Sequence, residues 1–235
     1  MIYAVHQPHY LPYPGYLSKV DAADTFVFLE NVQYVRREWQ NRNRIKGPDG
    51  LQWLTVPVKG EYKARISEMQ IDYSVSWQEK HINTLHRFYS RSSFLHELEL
   101  FAKIIEHEYK ALSDLTISTT KFFLQQFGIE TTLKNQASFA DLPEDPNKRI
   151  IEIGKRLGAD AYLSGAGGRN YMDIGEFERA GIEVIFQEYE AFPYTQFHGD
   201  FVPNLGSIDL LLCAGPDGFM KNINNENSEI QGAKS

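Results

Sequence analysis

A strand, a proline-rich loop, a helix and a second strand follow one another within the first thirty residues, and few folds accept that opening. Ile2-Tyr3-Ala4-Val5 is a β-prone run with no polar break, the pattern of a strand buried on both faces. It ends in His6-Gln7-Pro8-His9-Tyr10-Leu11-Pro12-Tyr13-Pro14-Gly15, where the prolines and the glycine exclude regular structure. A short helix is expected over residues 16–23, and Thr25-Phe26-Val27-Phe28-Leu29 reads as the second buried strand. Strands joined in this way pair in parallel as a right-handed βαβ unit. The spacing therefore predicts an α/β fold with a mostly parallel sheet of Rossmann-like type.

Further strands are expected over residues 52–58 and 66–71, separated by a charged segment. Residues 76–127 then carry apolar positions at helical spacing: Trp77, Ile82 and Leu85; Leu95, Leu98, Phe101 and Ile105; and a third stretch from Leu115 ending at Gly128, a residue suited to a left-handed cap. These three helices predict a lobe inserted in, or appended to, the sheet. Alternation then returns. Asp145-Pro146 reads as a cap and first helical position, with Ile150, Ile153 and Leu157 on one face. Ala161-Tyr162-Leu163 is the next strand, Asp173 and Glu176 suggest a capped short helix, and residues 182–186 a further strand. Residues 1–215 are expected to form one α/β domain, with residues 216–235 as a disordered tail.

No run approaches eighteen apolar residues, so no membrane span is expected. The N-terminus lacks the basic and long apolar regions of a signal peptide, and the single cysteine, Cys213, fits a reducing cytoplasm. The formal charge of −7 argues against nucleic acid as a partner. Sequence says nothing of oligomeric state.

In open parallel sheets, ligands bind beyond the carboxyl ends of the strands. Two loops are in such places. The first carries His6 at the end of a buried strand, suited to a general base, with Gln7, His9, Tyr10, Tyr16 and Lys19 around it. His6 and His9 alone make no metal site, since zinc needs three or four ligands, and no metal is expected. The second is Ser164-Gly165-Ala166-Gly167-Gly168-Arg169, with Tyr171 nearby; its backbone N–H groups and arginine suit an anion, although a plain tight turn has the same composition.

Residues 30–46 form the densest polar stretch. Gln33, Trp39, Gln40, Asn41, Arg42, Asn43 and Arg44 combine guanidinium forks for phosphate or carboxylate, amides for hydroxyls and an aromatic ring. A solvated basic loop is the plain alternative. Thr55 is placed to face a pocket from the strand after it. Signatures of Walker loops, dinucleotide-binding glycine loops, nucleophile elbows and zinc proteases are absent from the sequence.

The same polar residues carry a resemblance. His6-Gln7-Pro8, Tyr10-Leu11-Pro12, Gly15-Tyr16, Lys19, Val32-Gln33-Tyr34, Trp39-Gln40-Asn41-Arg42-Asn43, Trp53-Leu54-Thr55-Val56-Pro57-Val58 and Tyr162-Leu163-Ser164-Gly165-Ala166-Gly167-Gly168 resemble the signature of the WbqC-like family. The block around Leu205, Ser207, Ile208, Asp209 and Leu210 closes the match, while residues 135–139 depart from the serine-rich run expected there. The resemblance implies a bacterial surface-polysaccharide (O-antigen, lipopolysaccharide) role. It also implies a transferase moving a glycyl or other acyl group to an amino sugar or related amine.

On that reading His6, Gln7 and Lys19 are the catalytic candidates. The partner is a small-molecule substrate, a nucleotide-linked sugar being one candidate; no cofactor is assigned, and an activated acyl or nucleotide-linked donor is the candidate for that place. Two alternatives stay open: a nucleotidyltransferase-like enzyme using His6 and His9, and a non-catalytic module that binds a sugar nucleotide or metabolite.

Overall fold

The computed structural model describes residues 1–223 and contains the expected opening unit. Strand β1 (Ile2–His6) leads through an irregular loop into α1 (Pro14–Asp21), and β2 (Thr25–Phe28) follows. The helix starts earlier than the apolar pattern suggests. Pro14 occupies its first turn, where a missing N–H costs nothing, so Pro14 and Gly15 belong to the helix rather than the loop.

The polar stretch after β2 is not all loop. β3 (Arg42–Gly47) and β4 (Gly50–Thr55) form an antiparallel hairpin in which Arg42 faces Thr55 and Arg44 faces Trp53. Gly50 closes the turn at φ 109°, a conformation that favours glycine. The next strands are shorter than expected. β5 (Val58–Lys59) pairs with β6 (Gln70–Ile71), and Ile66–Glu68, expected within a strand, forms a 3₁₀ turn.

The helical lobe follows as α2 (Trp77–Phe88), α3 (Leu95–Glu106) and α4 (Leu112–Gln126), ended by Gly128 at φ 70°. Then come β7 (Thr132–Asn135), α5 (Pro146–Leu157), β8 (Ala161–Ser164), α6 (Ile174–Arg179), β9 (Glu183–Phe186) and α7 (Ser207–Ala214). The caps read from sequence are present: Asp145 accepts from the Lys148 N–H and Asp173 from the Glu176 N–H.

Five strands make one all-parallel sheet in the order β7-β2-β1-β8-β9. Alternate residues of the central strands feed two cores. Ile2, Ala4, Phe26, Phe28 and Leu163 pack with α1, the helical lobe and α7, while Tyr3, Val5, Val27 and Tyr162 pack with α5 and α6. Helices therefore cover both faces, which explains why the strands read as continuous apolar runs.

The domain extends past the expected boundary at residue 215. Residues 217–223 are helical, Phe219 and Ile223 are fully buried, and the Phe219 ring stacks on Phe127 at 5.1 Å. The remainder of the expected tail, residues 224–235, lies outside the described residues.

Between β9 and α7, residues 187–206 carry no regular element. They are nonetheless anchored along their length. Lys46 Nζ donates to the carbonyls of Gly199 (2.8 Å) and Asp200, and Tyr194 Oη donates to the buried Asp209 carboxylate at 2.7 Å. Tyr89 reaches that carboxylate from the lobe at 2.5 Å. Burial pushes the Asp209 carboxyl upward, opposed by these two phenol hydrogen bonds.

Candidate functional site

Strand order reverses between β1 and β8: the chain steps outward through β2 and β7 on one side and through β9 on the other. In open parallel sheets such a reversal of strand order marks the place, outside the strands' carboxyl ends, where ligands bind. His6 closes β1 and Ser164 closes β8, so the two loops singled out in the sequence leave the carboxyl ends of neighbouring strands. Gln187, the first residue after β9, joins them. Its N–H donates to the Ser164 carbonyl at 2.8 Å and its Nε2 to the Gly15 carbonyl at 2.9 Å.

His6 is the best-defined group. Its Nδ1 lies 3.0 Å from the Gln7 carbonyl, which can only accept, so Nδ1 carries the proton and Nε2 the lone pair. Tyr16 Oη donates to the same carbonyl at 3.2 Å, and its ring packs edge-on to His6 at 4.9 Å. His9 contacts both rings, at 4.8 Å from His6 and 5.2 Å from Tyr16. Among the described residues no third His, Cys, Asp or Glu joins them in a metal-binding group.

Both imidazoles are held neutral. Burial pushes the His6 pKa well below 6.5, with the positive charges of Lys19 and a protonated His9 adding to it. Burial and then Lys19 bring His9 down to about 3. Lys19 projects from α1 beneath them, almost fully buried, and donates to the Val5 carbonyl at 3.1 Å. Burial lowers its ammonium to about 7.

Gln7 is held by Gln40, whose Nε2 donates to Gln7 Oε1 at 2.5 Å while its Oε1 accepts from the Val35 N–H at 2.8 Å. The amides expected to read substrate hydroxyls largely serve the backbone instead. Asn43 Nδ2 donates to the Leu11 carbonyl at 2.5 Å, bracing a residue at φ 51°, and Asn41 Nδ2 donates to the Val56 carbonyl at 2.8 Å.

Tyr10, expected at a ligand, is fully buried. Its hydroxyl lies 2.9 Å from His81 Nδ1, and that imidazole also bonds the Thr55 backbone. Tyr16 and His9, also expected at a ligand, are buried as well.

Arg42, Arg44 and Trp39 gather with Trp53 on one face of the β3–β4 hairpin, and Thr55 is exposed at its end. Gln33 is exposed and forms a backbone bridge to Arg65, in the neighbourhood of the β5–β6 loop. In the glycine loop, a Cβ on Gly168 would lie 2.1 Å from Ser164 Oγ, whereas a Cβ on Gly165 or Gly167 would meet nothing within 4 Å. Arg169 pairs with Glu188 at 2.9 Å and lies over the Phe186 ring, while Tyr171 is exposed. Sequence reading missed Gln187 and Glu188. Their position directly after a strand of the parallel sheet was the available signal.

A doubly wound α/β protein with neutral histidines and a buried lysine at its switch point is the class that fold and site define. Residues 7–220 match the WbqC-like protein family, and the chain belongs to that family. It is also 32% identical over 219 residues to the uncharacterized protein Rv1507c of Mycobacterium tuberculosis, across 91% of this chain and 94% of that one. No solved structure matches the chain.

Proposed function

We propose that the protein is a cytoplasmic small-molecule transferase of bacterial surface-polysaccharide synthesis. It moves a glycyl or other acyl group from an activated donor to the amine of an amino sugar. The observation that carries this reading is the His6 geometry: a neutral imidazole with its proton fixed on Nδ1 and its lone pair on Nε2, at the switch point of a parallel sheet.

The amine nitrogen attacks the acyl carbon, and His6 Nε2 takes the proton released as the C–N bond forms. The bond to the leaving group then breaks, and the leaving group takes that proton back from Nε2. Gln7 holds the imidazole through its carbonyl, and Lys19 keeps it in the basic form. The open backbone at Gly165 and Gly167, with Arg169, suits an anionic part of either substrate.

The contact between His6 and His9 favours a second reading, nucleotidyl transfer with paired imidazoles on the phosphates. Neutral imidazoles stabilise phosphate charge less than imidazolium does, which ranks it second. The two separate in one assay. Acyl donors and nucleotide-linked amino sugars are followed for a mass gain of the acyl group, and nucleoside triphosphates with Mg²⁺ for pyrophosphate release.

His6→Ala is expected to lower acyl transfer by about 10²–10⁴-fold with little change in melting temperature. A loss of only a few-fold removes His6 from the base role. Ligand binding with no turnover by the intact protein supports the non-catalytic module instead.

A further inference from the structure

Four side chains share the outer face of the β3–β4 hairpin. The Trp39 and Trp53 rings lie 5.4 Å apart at 35°, and Arg44 Cζ stands 5.6 and 5.7 Å from their centroids, a nearly equilateral group. Arg42 Cζ lies 4.1 Å from the Trp53 centroid. Trp53 nevertheless leaves 41% of its surface to solvent.

Packing alone accounts poorly for this arrangement. Two like charges are drawn to one indole, and the Nε–H groups of both arginines are shut off from solvent with no acceptor. An unpaired donor removed from water is costly. A multivalent oxyanion supplies the missing negative charge, and guanidinium forks match phosphate geometry. Indole faces beside it accept a flat base or the apolar face of a sugar.

We propose that this hairpin face binds a phosphate ester carrying a stackable ring, with the phosphate oxygens on Arg42 and Arg44 and the ring on the Trp39–Trp53 pair. The inference rests on the transferase reading and names its substrate class. Gln40, next to Trp39, bonds Gln7, next to His6, so the platform is tied to the histidine loop. A phosphate-linked handle held here leaves the rest of the substrate to reach the imidazole.

The test is a tryptophan-fluorescence titration at low salt with UDP, glucose 1-phosphate and inorganic phosphate. The chain has three tryptophans, and Trp77 is buried, so a ligand-dependent change reports the hairpin. Saturable quenching is expected with UDP or glucose 1-phosphate. It should weaken by about tenfold or more in Arg44→Gln and in Arg42→Gln, at melting temperatures close to wild type.

UDP alone identifies base stacking as the source, and glucose 1-phosphate alone the sugar. Inorganic phosphate binding as tightly as both overturns the ring half of the proposal. No saturation by any probe up to about 10 mM, or undiminished affinity in both arginine variants that remain folded, overturns the whole. His6→Ala separates this inference from the base assignment. Quenching retained while transfer is lost supports both; quenching retained with transfer intact overturns only the base.

Discussion

Lys19 and His6 are polar groups carried inward by apolar elements, and burial sets the charge of each. The Lys19 ammonium falls from 10.5 to about 7 on folding, so between those pH values the unfolded chain holds more of this proton than the native one. Stability lost to burying Lys19 is therefore largest below pH 7 and is relieved as pH rises toward 10.5. Lys19→Met is expected to raise the denaturation midpoint most at pH 6 and progressively less by pH 10. A pH-independent difference would mean the amine is not perturbed. The same substitution removes a positive charge from beside His6, so the acid limb of any turnover profile should move to higher pH. The placing of His6 and Gln7 at the end of the first strand and of Lys19 on the helix after it was legible in sequence because each stands at a fixed offset from that strand. That of Tyr10 and Asn43 was not. Their partners, His81 and the Leu11 carbonyl, are brought to them by folds of the chain that no local pattern encodes.

Local pattern also decided which elements were readable. Strands buried on both faces announce themselves as apolar runs, and β1, β2 and β8 were found that way. β3 was missed because polar side chains occupy both of its faces: Asn43 is buried by its bond to Leu11, and Arg42 and Arg44 lie against tryptophan. The glycine loop after β8 allows a sharper test than its composition did. Gly168→Ala places a methyl against Ser164 and is expected to cost about 1–3 kcal/mol in chemical denaturation. Gly165→Ala and Gly167→Ala enter open space, so stability should stay within about 0.5 kcal/mol. Both should nevertheless lower transfer if substrate approaches the backbone there. Full activity in both would detach this loop from the proposed site.

At the scale of the molecule, the core ends later than its composition suggests. Asn- and Gly-rich sequence after residue 215 masks Phe219, which stacks on Phe127, and Ile223, which is buried in the same core. Phe219→Ala is expected to cost about 3–5 kcal/mol, read from the shift in a urea midpoint; a loss under about 1 kcal/mol would mean this helix is not part of the core. The central position of β1 has a consequence for synthesis. One edge of β1 is covered by β2, some twenty residues later, but the other waits for β8, where Ile2 is in register with Ala161. A ribosome adding about 5–20 residues per second leaves that edge bare for on the order of ten seconds. The histidine loop is thus translated well before the strand that encloses it. A truncated product ending before β8 carries the whole imidazole cluster on an open, sticky strand, a target for chaperones rather than a partial enzyme.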